Sequence, residues 1–261
     1  MEKEVRIQKA TLNDAKVLAE LSKEAFHTDK EIGGFEEPGG PPGYDSSKFQ
    51  IWAMRNLTYY KILYDEEIVG GIILNSRKGN HYILERIFVD PRYHNMGIAT
   101  KAMNSLINEY PDVVWTLGTP EWNVRTRHFY EKLGFKQIGW DEGDGELGWI
   151  GIWYQRTTDK TSSSVQNIAD LHDGMTEVVV EGKIIEVEPS RKVKSKKSGQ
   201  DLFVANAFLQ DPSGEITIVL WNTQISQIKP GERIRIELGY VSSFRNKLQL
   251  NTGYGRLIKL L

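Results

Sequence analysis

The sequence predicts two folds in one chain, an α/β sandwich around a mixed sheet followed by a small all-β barrel of five strands. Three observations carry this expectation. At 261 residues the chain exceeds the ~100–150 residues of a typical single domain. Thr157–Ser164 (Thr-Thr-Asp-Lys-Thr-Ser-Ser-Ser) is polar, lacks apolar periodicity and reads as a linker. Before it strand and helix patterns alternate, and after it strand patterns follow one another with little helix. The expected division is residues 1–157, a linker at 158–165, and residues 166–261.

Val5-Arg6-Ile7 reads as a short strand, and Thr11–Asp14 offers capping groups to the amphipathic run Ala15–Phe26. The Gly/Pro-rich stretch Ile32–Tyr44 excludes continuous secondary structure and belongs to a loop that bears a helix. Tyr59–Tyr64 and Ile68–Leu74 form a hairpin around Asp65-Glu66-Glu67, and the strand His81–Val89 stops at Asp90-Pro91. Gly97–Glu109 has helical apolar spacing, Val113–Leu117 reads as a strand, and Asn123–Leu133 is a helix closed by Gly134. Phe135–Trp140 and Gly148–Gln155 complete a terminal hairpin. Beyond the linker come five strand-like runs: Glu177–Val187, Asp201–Gln210, Glu215–Trp221, Glu232–Leu238 and Lys247–Leu257. Asp211–Gly214 and Lys229-Pro230-Gly231 separate them as turns.

Composition narrows the classes. With 39% hydrophobic and 26% charged residues the chain falls in the ordinary globular range. The absence of cysteine excludes disulfides, thiolate metal sites and a cysteine nucleophile, and no metal is expected. No apolar run approaches the ~20 residues that span a bilayer, and Met1-Glu2-Lys3-Glu4 does not begin a signal peptide. A cytoplasmic location without membrane contact is the expectation. The net charge of −2 divides unevenly, with 20 Lys+Arg against 24 Asp+Glu in residues 1–160 and 13 against 11 in residues 161–261. The basic excess concentrates in Arg191, Lys192, Lys194, Lys196 and Lys197, a weak nucleic-acid signal by itself.

A pyrophosphate is held where several backbone N–H groups converge at a helix start and small residues let the main chain approach. The run Pro91–Ala99 offers a strand end, a turn and a helix opening with Gly97 and Ala99 as the small positions. Val89-Asp90-Pro91 followed by His94-x-x-Gly97-x-Ala99 resembles the Arg/Gln-x-x-Gly-x-Gly/Ala motif of the GNAT family of N-acetyltransferases. Asn123, followed by Phe129-Tyr130-Glu131-Lys132-Leu133-Gly134-Phe135, resembles that family's second signature, in the right order and separation. The resemblance covers residues 4–156 and implies the GNAT fold and acetyl-CoA as co-substrate. It implies coenzyme contacts from Ile87, Phe88, Val89, His94, Asn95, Met96, Gly97, Ile98, Ala99, Thr100 and Asn123. His94 departs from the usual Arg or Gln, losing one phosphate charge contact while the imidazole is neutral; affinity is then expected to be pH-sensitive.

The implied reaction is direct attack of an amine on an acetyl thioester, which needs a base to strip the ammonium. Glu85 stands on the strand before the motif, where many relatives place that base; a solvated carboxylate, or a partner for Arg86 or Lys61, is the alternative. Tyr130 occupies the position of the family's proton donor to the departing thiolate, or else is a core tyrosine. Asn123 could equally be a plain helix cap. Asp29, Glu31, Glu36, Glu37 and Asp45 in the Gly/Pro-rich region would favour a cationic amine, if that region lines the acceptor pocket and is not simply solvated.

Residues 166–258 resemble single-stranded DNA-binding OB domains such as archaeal replication protein A and the OB subunit of the SOSS complex. Gly182, Asp211-x-x-Gly214, Trp221, Pro230-Gly231-Glu232, Gly239-Tyr240-x-x-x-Phe244 and Thr252-Gly253-x-Gly255 carry that resemblance. Single strands need aromatic faces for stacking and a cationic track for phosphates. Trp221 alternates out of phase with Ile216, Ile218 and Leu220 and so faces away from the core. Tyr240, Phe244, Arg245 and Lys247 are expected in the loop joining the fourth and fifth strands, and the run 191–197 in the loop joining the first two. Phe203 is a further candidate contact. Together these residues predict an acetyl-CoA-dependent acetyltransferase, acting on a protein or small-molecule amine, joined to a single-stranded DNA- or RNA-binding barrel. Two other readings stay open: a small-amine acetyltransferase whose barrel mediates assembly, a homodimer among the forms, and a non-catalytic coenzyme A sensor.

Overall fold

The computed structural model describes residues 4–34, 39–77, 80–141, 150–157, 165–194, 201–252 and 256–261. The chain forms two compact units, Met1–Gln137 with Tyr154–Ser162, and Ile138–Trp153 with Ser163–Leu261.

In the first unit β1 (Val5–Lys9) leads to α1 (Ala15–His27), and Ser46 caps α2 (Ser47–Asn56) by accepting from the Phe49 N–H. There follow β2 (Thr58–Tyr64), β3 (Glu67–Arg77), β4 (His81–Val89), α3 (Ile98–Glu109), β5 (Val114–Pro120) and α4 (Val124–Lys132). β6 (Lys136–Asp141) and β7 (Gly151–Arg156) come after the second signature, their residues divided between the two units. The strands run in the order β1-β2-β3-β4-β5-β7. β1 to β4 pair antiparallel, whereas β4 and β5 pair parallel. One face of this mixed sheet packs Tyr59, Ile73 and Phe88 against Leu18, Leu21 and Ala25 of α1 and Ala53 of α2. α3 buries Ile98, Ala102, Met103, Leu106 and Ile107, the i, i+4, i+5, i+8, i+9 stripe of an amphipathic helix.

Two local features shape β4. Ile73 pairs with Arg86 but Leu74 pairs with Leu84, so Glu85 is the extra residue of a β-bulge. β4 pairs with β5 only from His81 to Ile83, against Val114 to Thr116, although both strands continue beyond. The β5-facing edge of β4 is therefore free of ladder bonds from Leu84 to Val89. Gly70 is obligatory on the other side, because a Cβ there would lie 2.2 Å from the Phe88 carbonyl oxygen.

The second unit contains β8 (Thr176–Val187), β9 (Arg191–Lys194), β10 (Asp201–Asp211), β11 (Gly214–Trp221) and the short α5 (Thr223–Gln227). β12 (Arg233–Phe244), β13 (Lys247–Asn251) and β14 (Arg256–Leu260) complete it. β8, β10, β11, β13 and β12 are neighbours in that order, and β12 pairs with β8, closing a five-stranded barrel. β11 and β13 pair parallel within it. Val178, Val180, Ile184, Leu209, Ile218, Leu220, Ile234, Ile236 and Leu250 fill the interior.

Three sequence expectations need correction here. The run expected as one strand from Lys247 to Leu257 is two, β13 and β14. Tyr240 and Phe244 lie not in a loop but inside β12, which extends to a two-residue turn at Arg245-Asn246 with both φ positive (50° and 61°). That is the turn geometry that matches strand twist, and Asn tolerates it without glycine. Arg191–Lys194, expected as loop, forms β9 by pairing with Asp201–Val204 of β10.

Candidate functional site

The turn between β4 and α3 is built by Asp90, which is 4% exposed. Its Oδ1 accepts from the Arg92 N–H (2.9 Å) and its Oδ2 from Arg92 Nη2 (2.6 Å), so the carboxylate closes the turn on itself. Burial acts to raise this carboxyl's pKa, but the Arg92 bonds and charge outweigh it and hold the group below its usual range. His94 Nε2 hydrogen-bonds the Val89 carbonyl at 2.8 Å, tying the turn to the end of β4. Asn95 (φ 62°) and Gly97 (φ 73°) both take left-handed backbone. Gly97 caps α3, and a Cβ on it would meet nothing within 4 Å, so the space above the helix start is open. The first intrahelical bond of α3 is Lys101 N–H to Gly97 O, leaving the N–H groups of Ile98, Ala99 and Thr100 without helical acceptors.

A carboxyl with a depressed pKa contributes stability that is present above its unfolded pKa of ~3.9 and is lost as pH falls through the folded value. Asp90→Asn is therefore expected to lower the melting temperature at pH 7, with the difference from wild type shrinking below about pH 4. Melting curves of both proteins across pH 3–7 check this; a difference independent of pH would assign Asp90 an uncharged role.

Glu85 is exposed at its bulge and accepts a hydrogen bond from Asn75 Nδ2 at 2.7 Å. Neither partner expected from the sequence takes it. Lys61 instead pairs with Asp14 (3.1 Å), and Arg86 bonds elsewhere, on the segment before α2. There Arg86 Nη2 donates to the Pro42 carbonyl (2.7 Å) and its guanidinium lies 4.0 Å from the Phe49 ring centroid. Burial pushes this guanidinium down to about 10, against the raising influence of Tyr59 and Glu85. Arg86 thus fastens the segment before α2 to the strand that carries Glu85.

Asn123 caps α4, its Oδ1 accepting from the Thr126 N–H at 3.1 Å, and is 4% exposed. Its Nδ2 donates to Oδ1 of Asp29 (3.3 Å), and Arg125 Nη2 donates to the same oxygen (2.9 Å). Tyr130, 7% exposed, packs against the rings of Phe129, Phe135 and Tyr154. Burial, and then the charge of Asp29, raises its phenol well above the ordinary value. The end of α4 is sharp: Gly134 (φ 83°) follows the helix and the Phe135 N–H returns to the Tyr130 carbonyl at 3.1 Å. The structure thus brings Asp29, Asn123, Arg125 and Tyr130 together, and His94 with Val89; Glu85 stands apart with Asn75. Arg125 had no signal in the sequence, since its partner is 96 residues away.

The barrel presents a different surface. Trp221 is 39% exposed, Tyr240 42%, Phe244 53% and Phe203 49%. Cross-strand pairing places Trp221 beside Val204, Thr217 beside Gln249, Tyr240 beside Asn251 and Phe244 beside Lys247. These residues alternate with the buried Ile218, Leu220, Val241 and Leu250, so Trp221, Tyr240, Phe244 and Lys247 share the outer face. Phe203 has the parity of the buried Ala205 and Ala207, yet emerges where β10 extends past its pairing with β8 to meet β9, opposite Lys192. Lys192 in turn pairs with Asp201 at 2.7 Å. Arg245 stacks 5.3 Å from the Phe244 ring. Lys196 and Lys197 lie outside the described residues.

A sheet opened between two parallel strands beside a glycine-started helix marks the first region, and a barrel bearing exposed rings the second. Residues 19–135 match the model of the Acetyltransferase (GNAT) family, and residues 170–258 that of the single-stranded DNA binding protein Ssb-like OB fold. Each region thus carries its own family match, a GNAT acetyltransferase domain and an Ssb-like OB fold. The Ssb protein of Saccharolobus solfataricus is 25% identical over 88 residues, which are 34% of this chain. The match spans 58% of that relative's length. Among solved structures, PaiA N-acetyltransferase from Thermoplasma acidophilum in complex with coenzyme A is 16% identical with a TM-score of 0.46, covering 59% of this chain and 99% of that one. The ribosomal-protein-S18-alanine N-acetyltransferase from Escherichia coli is 16% identical with a TM-score of 0.49, covering 62% and 99%. The second OB-fold domain of replication protein A from Methanococcus maripaludis is 22% identical with a TM-score of 0.30, covering 33% and 86%. Among the described residues no helix is long and apolar enough to cross a membrane.

Proposed function

We propose that this chain is an acetyl-CoA-dependent N-acetyltransferase, acting on an amine, that its barrel holds to single-stranded nucleic acid. The carrying observation is the free edge of β4 ending in a turn with open space above Gly97. An extended pantetheine arm needs unpaired strand backbone, and a pyrophosphate needs unpaired N–H groups at a helix start; this region offers both. The holding residues would be the backbone of Ile87, Phe88 and Val89 and the turn from His94 to Thr100, with the second Nδ2 hydrogen of Asn123 on the arm. Acetyl-CoA, when bound, supplies a thioester carbonyl open to attack and a thiolate leaving group.

Glu85, exposed at the bulge, accepts the acceptor's proton through water. Its hydrogen bond from Asn75 orients the carboxylate without neutralising it. Tyr130 presents its hydroxyl to the leaving sulfur. Because burial holds that phenol strongly protonated, it acts first as a hydrogen-bond donor to developing charge; complete proton transfer would cost about 1.4 kcal/mol per unit of pKa mismatch. The proposed functional division is 1–157 and 166–261 around a linker. Covalent linkage raises the effective concentration of the enzyme at nucleic acid without requiring any domain contact.

Thiol release from acetyl-CoA, measured with spermidine, a lysine-containing peptide and an N-terminal alanyl peptide, tests the reading. Amine-dependent release that Glu85→Gln lowers by roughly tenfold to a hundredfold supports it. Tight coenzyme A binding with no release above hydrolysis for any amine would favour the sensor reading instead.

A further inference from the structure

Asp29 lies in the 3-10 turn Thr28–Ile32 that follows α1, and its side chain is almost enclosed (11% exposed). All of its described side-chain hydrogen bonds converge on the start of α4. Oδ1 accepts from Asn123, the residue that caps the helix, and from Arg125, two residues on in its first turn. Arg125 reaches further, donating to Thr28 Oγ1 at 3.1 Å. The main chain closes the turn on itself, the Gly34 N–H donating to the Asp29 carbonyl at 2.9 Å. A Cβ on Gly34 would lie 2.6 Å from that carbonyl and 3.0 Å from the Trp122 ring, so the turn is pressed against the residue preceding the cap.

Tyr130 stands seven residues beyond Asn123, two helical turns along and on the same face. Long helical side chains point back toward the N-terminus, so the Tyr130 hydroxyl is directed toward the clamped end of α4. No described residue hydrogen-bonds that hydroxyl. Its position is therefore set by the helix, and the helix start is set by Asp29.

We propose that Asp29 is a positioning residue of acetyl transfer, clamping the first turn of α4 through Asn123 and Arg125 so that the Tyr130 hydroxyl meets the leaving sulfur. The proposal rests on the role assigned to Tyr130 above. The Asp29 carboxylate also opposes ionisation of that phenol. Around Tyr130 the other ionisable neighbour is Tyr154, which donates to Glu131 (2.9 Å) and accepts from Arg127 (3.3 Å). Arg125 faces Asp29 from α4.

The test uses the full chain with 3,5-difluorotyrosine at position 130, read by fluorine NMR, in wild type, Asp29→Asn and Asp29→Ala. Asp29→Asn is expected to move the fluorophenol titration to lower pH, and Asp29→Ala to change its chemical shift as the helix start loosens. With whichever amine supports turnover, both variants lower kcat by roughly tenfold or more, while the acetyl-CoA KM rises by no more than a few-fold through the loosened Asn123. A fluorine titration and shift identical to wild type in both variants would overturn the proposal, even if their melting temperatures fell, because that pattern is a structural role only. If Tyr130→Phe retains full rate while the titration moves, the role of Tyr130 fails and the clamp stands.

Discussion

Tyr130→Phe is expected to lower kcat about a hundredfold while changing the KM of either substrate by no more than a few-fold. The expectation follows from where the hydroxyl sits. Phenylalanine preserves the ring contacts with Phe129, Phe135 and Tyr154, so α4 and its packing persist. What disappears is one hydroxyl without a described hydrogen-bond partner, whose position beside developing negative charge is worth roughly a hundredfold or more in such reactions. Because that hydroxyl holds no described hydrogen bond, its removal leaves stability nearly unchanged. A second signature separates this variant from a damaged fold. A phenol whose folded pKa is raised contributes stability present below its unfolded value of ~10 and lost as pH rises through the folded one. The stability of wild type therefore declines above about pH 10 more steeply than that of Tyr130→Phe. Steady-state rates with melting curves from pH 7 to 11 check both. A kcat within twofold of wild type would remove Tyr130 from the chemistry.

The acetyltransferase half of the chain was readable because its decisive features are local. Gly97 and Ala99 announce a tight helix start within one turn of backbone, and Asn123 with Gly134 marks both ends of a single helix. Such signals survive in sequence because cap and turn geometry depend on residues a few positions apart. The clamp at α4 was not readable, since Asp29 looks like any other acid of a Gly/Pro-rich region until the fold brings Arg125 to it. The bulge at Glu85 was hidden for a related reason: whether an extra residue is accommodated in β4 is decided by its pairing with β3. In the barrel, strict alternation from Ile216 to Leu220 placed Trp221 outside the core, because one side of β11 must be apolar. Arg191–Lys194 read as a loop on its charge, yet its extended form comes from Asp201–Val204 across the ribbon. Cross-strand partners decide such segments, and a linear pattern does not contain them.

Single-strand affinity is expected to fall by about five- to 150-fold in Trp221→Ala and in Phe244→Ala, from a loss of ~1–3 kcal/mol per stacked base. Both rings stand on the outer face of the barrel with large exposed surfaces, 39% and 53%, so neither is needed to fill the interior. Their removal should leave the melting temperature within the small range of surface substitutions. The two rings lie on different strands, β11 and β12, and touch different cross-strand neighbours, Val204 and Lys247. The double variant should consequently lose close to the sum of the two single effects. Arg245→Ala has a different signature. Its guanidinium stacks on Phe244 and is free to meet a phosphate, so its loss should flatten the salt dependence by about 0.7 in the slope of log K against log salt, one counterion for a single strand. Fluorescence anisotropy with an oligo-dT strand of about 16 nucleotides, across 50–300 mM salt, measures all of these. Undiminished affinity in the double aromatic variant would sink the stacking model. A stacking loss without change in salt slope for the aromatic variants, beside a slope change for Arg245→Ala, would divide the face into base-reading rings and a phosphate-reading cation at the same hairpin.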